Sequence, residues 1–156
     1  MLAEPRTASP GLLFGVLLGL VAGLSAYAVR FEKGFIHFTA CFFVLVAEAL
    51  WSLLHLSSST LMAALAIYGC YGLFYLGVPV YARSKGKLLR PLGSGAILAF
   101  ASLALLFFLA LGDVATVSLW PLAILVGILN LGLLYEASQG FRPGLCMAGM
   151  ILSWIL

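Results

Sequence analysis

The chain has 156 residues, of which 64% are hydrophobic and 8% are charged, and its mean hydropathy is +1.19. A water-soluble domain of this length would expose too much apolar surface, so the composition excludes an ordinary soluble globular domain and indicates a protein of the lipid bilayer. The net charge of +3 is too small to indicate nucleic-acid binding. Because the apolar runs are too long for barrel strands, we predict an all-α polytopic transmembrane helical bundle.

A short polar leader at residues 1–10 precedes a transmembrane helical domain at residues 11–156. We predict five full spans and a partial sixth, at residues 11–29, 36–56, 61–82, 92–112, 119–135 and 144–156. The sixth run gives only about 20 Å of helix against a hydrocarbon core of about 30 Å. We therefore expect a fragment of a longer protein, with a half-spanning or re-entrant end as the alternative.

The first apolar run carries glycine at strict four-residue spacing. The glycines are Gly11, Gly15, Gly19 and Gly23. Consecutive GxxxG steps form a flat strip that another helix backbone can approach closely, so we predict a helix-packing surface for a helix of the same or a partner chain. A secretory signal is the rival interpretation, because residues 26–28 resemble a cleavage site. The basic residues Arg30 and Lys33, which follow the run, argue against it.

The second apolar run has a carboxylate, Glu48, in its middle. At the α-helical period, one direction of this helix carries His37, Cys41, Val44, Glu48, Trp51, Ser52 and His55. An ionisable group facing lipid at that depth costs roughly 2.5 kcal/mol or more. We therefore expect this stripe to face other helices or water.

Two interpretations of Glu48 remain open. In one it carries a proton or contacts a cation; the candidate proton- or ion-coupling residues are Glu48, His55, His37 and Asn130. In the other it is a protonated or hydrogen-bonded carboxyl that holds two helices together. Asn130 is the best predicted partner in another helix, with Tyr68 and Tyr71 as rivals. The histidines fall near the two ends of the span, where headgroup contact explains them.

Most basic residues fall in the loops after the first, third and fifth runs. The most charged loop carries Arg83, Lys85, Lys87 and Arg90. The positive-inside rule then predicts cytoplasmic basic loops and an outside N-terminus for a multi-pass protein of the inner membrane. We expect the four residues to fix topology, with contact to anionic headgroups as the alternative.

No catalytic or metal-binding motif occurs: the sequence has no GxGxxG, Walker-type loop, HExxH, GxSxG or CxxC. The three cysteines, Cys41, Cys70 and Cys146, fall in three different runs and are expected to be small buried apolar side chains. We therefore expect no enzyme activity, no metal and no cofactor. The expected partners are the lipid bilayer and other transmembrane helices, and not nucleic acid.

Residues 71–111 read YGLFYLGVPVYARSKGKLLRPLGSGAILAFASLALLFFLAL. They combine an aromatic, leucine-rich helix, Pro79 near its cytoplasmic end, a basic loop closing on Arg90-Pro91 and a small-residue start to the next helix. This segment resembles a recurring unit of the large bacterial membrane-protein family catalogued as "domain of unknown function 2339". The resemblance implies a many-helix inner-membrane protein and supplies no catalytic residue.

We expect the chain to be a helix-packing or scaffold region of a larger envelope protein. The competing class is a proton-coupled or small-solute transporter that uses Glu48. An enzyme acting on lipid-linked substrates ranks third, because the loops are too short to hold a catalytic constellation.

Overall fold

The computed structural model describes residues 10–57, 60–110, 119–138 and 143–155. They form six helices and no strand: α1 Pro10–Phe31, α2 Gly34–His55, α3 Leu61–Ser84, α4 Ser94–Ala110, α5 Leu119–Ser138 and α6 Pro143–Ile155. The prediction of an all-α fold is confirmed for these residues. The predicted leader up to residue 9, the loop at 113–118 and the loop residue Arg142 lie outside the described ranges.

Three of the described helices, α1, α2 and α3, are long and apolar enough to cross a membrane. This is fewer than the five full spans predicted, since α4 and α5 contribute shorter apolar stretches, Ser94–Leu106 and Ala123–Ser138. α4 begins at Ser94, two residues after the predicted start of the span, because Gly93 has φ +73°, a left-handed conformation that a right-handed helix excludes.

The turns after α1 and α3 are built alike. Glu32 has φ +56°, and the N–H of Lys33 donates to the carbonyl of Ala28 at 2.9 Å. After α3, Gly86 takes the left-handed position with φ +72°, and the next N–H donates to the carbonyl of Ala82 at 3.0 Å. Both are Schellman-type helix ends, which satisfy carbonyls that the helix leaves without a partner. They turn the chain back tightly into antiparallel neighbours.

Two helices extend beyond their predicted ends. α3 continues past Pro79 to Ser84, two residues beyond the predicted end of the span. The close approach of α4 supports α3 there, because a Cβ on Gly95 would lie only 3.4 Å from the Pro79 ring. α5 reaches Ser138 and so includes Glu136, which the sequence had suggested as the start of a loop.

The helix α4 lies at the centre of the bundle, in contact with α2, α3, α5 and α6. One buried apolar cluster lies between α3, α4 and α5 and includes Leu65, Leu103 and Leu129. A second cluster joins α1, α2 and α3 and includes Phe14 and Tyr71. α2 and α5 do not contact each other among the described residues, which decides the partners of the polar side chains.

Candidate functional site

One face of α2 is buried and polar. Its buried residues are Gly34, His37, Cys41, Val44, Glu48 and Ser52. Glu48 is only 1% exposed, whereas large apolar residues such as Phe43, Leu50 and Leu54 are exposed on the other side of the helix. The stripe therefore faces the other helices. It follows the 3.6-residue period as far as Ser52 and ends there.

At one end of the stripe, α1 and α2 are joined by a buried hydrogen bond. The Ser25 hydroxyl of α1 lies 2.7 Å from Nδ1 of His37. The thiol of Cys41, one turn further along α2, lies 3.5 Å from the same nitrogen. His37 is fully buried, so the expectation of a headgroup contact is wrong for this histidine. The cause is Ser25, which provides a polar partner inside the bundle.

In the middle of the stripe, α3 is joined to the backbone of α2. The Ser52 hydroxyl, at 2.7 Å, and the Tyr68 hydroxyl, at 3.3 Å, both lie within hydrogen-bond distance of the backbone carbonyl of Glu48, and they also contact each other. Each hydroxyl has one proton to donate, so two of these three hydrogen bonds form at a time. This small network is buried, so it lies in a medium of low dielectric constant.

A third contact joins α3 to α1. The Tyr71 hydroxyl donates to the backbone carbonyl of Phe14 at 2.6 Å. The Phe14 ring packs edge to face against Tyr71, Tyr68 and Trp51, with ring centroids 5.9–6.4 Å apart. Phe14 thus anchors α1 in the aromatic part of the core.

The carboxyl group of Glu48 has a different environment from its backbone. Among the described residues no hydrogen bond to this carboxyl is formed, and its Oε1 is buried without a partner. The hydroxyls of Tyr75 and Ser102 are also buried without partners within the described ranges. Glu48 therefore joins α2 to α3 through its carbonyl, no hydrogen bond of its carboxyl to another helix is present among the described residues, and protonation of the carboxyl stays a prediction.

Asn130 does not pair with Glu48. Its amide nitrogen donates to the carbonyl of Val126 at 2.9 Å and to the hydroxyl of Ser153 at 2.6 Å. Asn130 thus connects α5 to α6. It does not reach Glu48, because α5 does not contact α2 among the described residues. The rival, Tyr68, is the residue that reaches Glu48, through the carbonyl.

His55 lies at the exposed end of α2. Its ring stacks on that of Trp51, with centroids 5.9 Å apart and planes 15° apart. It is exposed and does not join the buried part of the stripe. The four predicted coupling residues therefore do not form one site in the described structure.

The basic residues at the end of α3 and in the loop after it make specific contacts with other helices. Arg83 forms an ion pair with Glu136 of α5, and its guanidinium lies 5.7 Å from the Tyr135 ring centroid. Glu136 is 1% exposed and the Arg83 side chain 19%. Arg83 therefore also joins α3 to α5, and its predicted role in fixing topology stays a prediction.

Lys87 binds the end of α1. Its ammonium group donates to the carbonyls of Val29, at 3.0 Å, and Arg30, at 2.9 Å. A cation at a helix C-terminus also interacts favourably with the helix dipole. Lys85, by contrast, is exposed with its ammonium 5.8 Å from the Tyr81 ring centroid, and Arg90 is exposed.

The predicted glycine strip of α1 does not pack closely against another described helix, although Gly11 and Gly15 border a lateral cavity between α1 and α3. A Cβ added at Gly11, Gly15, Gly19 or Gly23 would meet nothing within 4 Å among the described residues. α1 instead buries the face that carries Phe14, Val21, Ser25 and Ala28. The strip makes no contact with the described part of the chain, and packing against a partner chain stays a prediction.

Three important residues were missed by the sequence analysis: Ser25, Tyr75 and Glu136. Ser25 could have been found from its spacing, because it lies three to four residues from Val21 and Ala28 on one helical face. Glu136 is a carboxylate at the same end of the bundle as the basic loop. Tyr75 is fully buried in the second apolar cluster.

Within the described residues, no group of three or more His, Cys, Asp or Glu side chains is arranged to hold a metal ion. No family model matches the chain. No curated protein and no solved structure matches it either. The functional proposal below therefore rests on the geometry of the helices.

Proposed function

We propose that this chain is a multi-pass protein of the inner membrane in which α1 to α4 act as a helix-packing scaffold of a larger envelope protein. The proposal includes five full spans and a partial sixth, an outside N-terminus and cytoplasmic basic loops. Three apolar helices of membrane-spanning length support a multi-pass arrangement. Membership of the many-helix family "domain of unknown function 2339", which residues 71–111 resemble, is part of this proposal and not support for it.

One observation carries the scaffold proposal: side-chain hydrogen bonds connect α1, α2 and α3 in all three pairings. Each bond joins a polar side chain of one helix to a neighbouring helix, so the polar groups are used for association of the helices. Such bonds contribute about 0.6 kcal/mol on average in membranes, and up to about 1.7 kcal/mol. Together they specify which faces of the three helices meet.

A second function, proton or cation coupling, is favoured by the unpartnered atoms. Oε1 of Glu48 and the hydroxyls of Tyr75 and Ser102 are buried without partners in the described residues. Buried polar atoms of this kind supply ligands for a proton, a water molecule or a small cation. A transporter would use Glu48 as the carrier.

Proton flux through proteoliposomes distinguishes the two functions. An internal pH-sensitive dye is followed after a potassium diffusion potential is imposed, for the wild type, Glu48→Gln and the control Glu32→Gln, whose side chain is exposed at the end of α1. The scaffold proposal expects the same trace for all three proteins and for empty liposomes. Flux that Glu48→Gln abolishes in a folded protein, and Glu32→Gln retains, would overturn it.

A stability measurement tests the scaffold directly. Tyr68→Phe removes the hydroxyl that bonds to Ser52 and to the Glu48 carbonyl, so we expect the free energy of unfolding in a denaturing-detergent titration to fall by about 0.6–1.7 kcal/mol. The control is Tyr27→Phe, because Tyr27 is exposed on α1. Equal stability of the two variants would contradict a structural role of the hydrogen bond.

A further inference from the structure

A groove of about 1090 Å³ opens laterally between α1 and α3. Its walls are mainly apolar and include Leu18 and Ala22 of α1 and Phe74 and Gly77 of α3. The volume is slightly above the range of about 300–1,000 Å³ that is usual for ligand pockets. α2 lies behind the groove, since the Phe74 ring is 6.1 Å from the ring of buried His37.

The groove has the length of one membrane leaflet. From Leu18 to Arg30, α1 rises by about 18 Å, and half of the hydrocarbon core is about 15 Å. Towards the other end of α1, α1 and α3 contact each other through Phe14 and Tyr71. Only a smaller lateral cavity of about 230 Å³ lies between them there. A transmembrane helix would need the whole core thickness, whereas an acyl chain needs one leaflet.

The basic side chains that line the groove all lie at one end of it. Arg30, Lys85 and Lys87 line it, and no acidic residue of the described chain does so. Lys87 uses two of its three N–H groups on the carbonyls at the end of α1. Arg30 and Lys85 are exposed, so both are accessible to an anionic headgroup at the membrane surface.

We propose that this groove binds one anionic phospholipid. An acyl chain lies against Ala22 and Phe74, and the phosphate group lies between Arg30 and Lys85. Long apolar walls within one leaflet and a positively charged end match the two parts of such a lipid. The groove shares Ser25 with the α1–α2 hydrogen bond of the scaffold, but its lining does not include Glu48, so lipid binding is tested independently of proton coupling.

Native mass spectrometry of the full chain tests the charge requirement. The detergent-purified protein is incubated with phosphatidylglycerol or phosphatidylcholine, and we expect one phosphatidylglycerol to be retained in preference to phosphatidylcholine. Arg30→Gln combined with Lys85→Gln should weaken this retention by about tenfold or more, because both headgroup contacts are lost. Lys33→Gln combined with Arg90→Gln is the control with the same change in charge, since neither residue lines the groove.

A second pair of variants tests the acyl-chain position. Gly77 lines the groove and a Cβ there meets nothing within 4 Å, so Gly77→Leu is expected to place its side chain in the groove. Gly127→Leu is the control on α5, where an added Cβ also meets nothing. We expect Gly77→Leu to lose bound phosphatidylglycerol and Gly127→Leu to retain it.

Three results would overturn the proposal. The first is retention by Gly77→Leu equal to that of the wild type. The second is an equal loss in the Lys33→Gln, Arg90→Gln control, which would indicate attraction to charge in general. The third is a wild-type dimer without bound lipid that Gly77→Leu dissociates, because the occupant would then be a helix of a second copy.

Discussion

Arg83 and Glu136, which are 53 residues apart in the chain, form an ion pair between the ends of α3 and α5. The carboxylate is almost completely buried. A buried charge that loses its partner is strongly destabilising, so this pair fixes the position of α5 against α3 at this end of the bundle.

Glu136→Gln should lower the free energy of unfolding by about 2 kcal/mol, because the neutral amide removes the negative charge that compensates the partly buried Arg83 guanidinium. A denaturing-detergent titration measures the change. Glu32→Gln is the control, since Glu32 is exposed. An unchanged transition for Glu136→Gln would contradict the importance of the ion pair.

Gly34 is the residue that allows the loop after α3 to pack on the start of α2. A Cβ there would overlap the backbone atoms of Leu89 and Arg90. We expect Gly34→Ala to destabilise the protein by about 1–3 kcal/mol, as overpacking commonly does. Gly127→Ala, in open space, should be neutral or stabilising by up to about 1 kcal/mol. Equal effects in a thermal unfolding assay would show that the loop does not pack there.

The glycine strip should tolerate large side chains within the isolated chain. Nothing lies within 4 Å of a Cβ at Gly19, so Gly19→Leu should leave the unfolding midpoint of the monomer unchanged or slightly raised. Dilute detergent keeps the protein monomeric for this measurement. A clear fall in the midpoint would show that the strip packs against the chain itself.

Tyr71→Phe should remove the hydrogen bond to the Phe14 carbonyl and keep the ring contacts. We expect the free energy of unfolding to fall by about 0.6–1.7 kcal/mol, as for other hydrogen bonds between membrane helices. Tyr27→Phe serves again as the exposed control. If Tyr71→Phe unfolds like the control, α1 is held by apolar contacts alone.

The sequence predicts which face of a helix is buried better than it predicts which helix packs against that face. The period of α2 correctly indicated that Glu48 and Ser52 point to the same buried side, because a 3.6-residue repeat depends only on local geometry. The pairing of Asn130 with Glu48 was wrong, because it depends on which helices are neighbours. α5 contacts α3, α4 and α6 and does not reach α2 among the described residues.

The position of a histidine along the span did not predict whether its side chain is buried. His37 and His55 both lie near the ends of α2, yet one is fully buried and the other exposed. Ser25 explains the difference, because it gives His37 a hydrogen-bond partner in α1. The position of Arg83 in the sequence likewise did not reveal its partner, because Glu136 lies in a distant part of the chain.

The most direct test of the central claim, that the polar stripe of α2 faces the bundle and not lipid, is a nitroxide scan of α2 in liposomes. Single cysteines are introduced in a background without native cysteines, labelled, and examined for collisions with dissolved oxygen. The account predicts low oxygen accessibility at Val44 and Glu48 and high accessibility at Phe43, Leu50 and Leu54, with a period near 3.6. High accessibility at Glu48 together with low accessibility at Leu50 and Leu54 would contradict it.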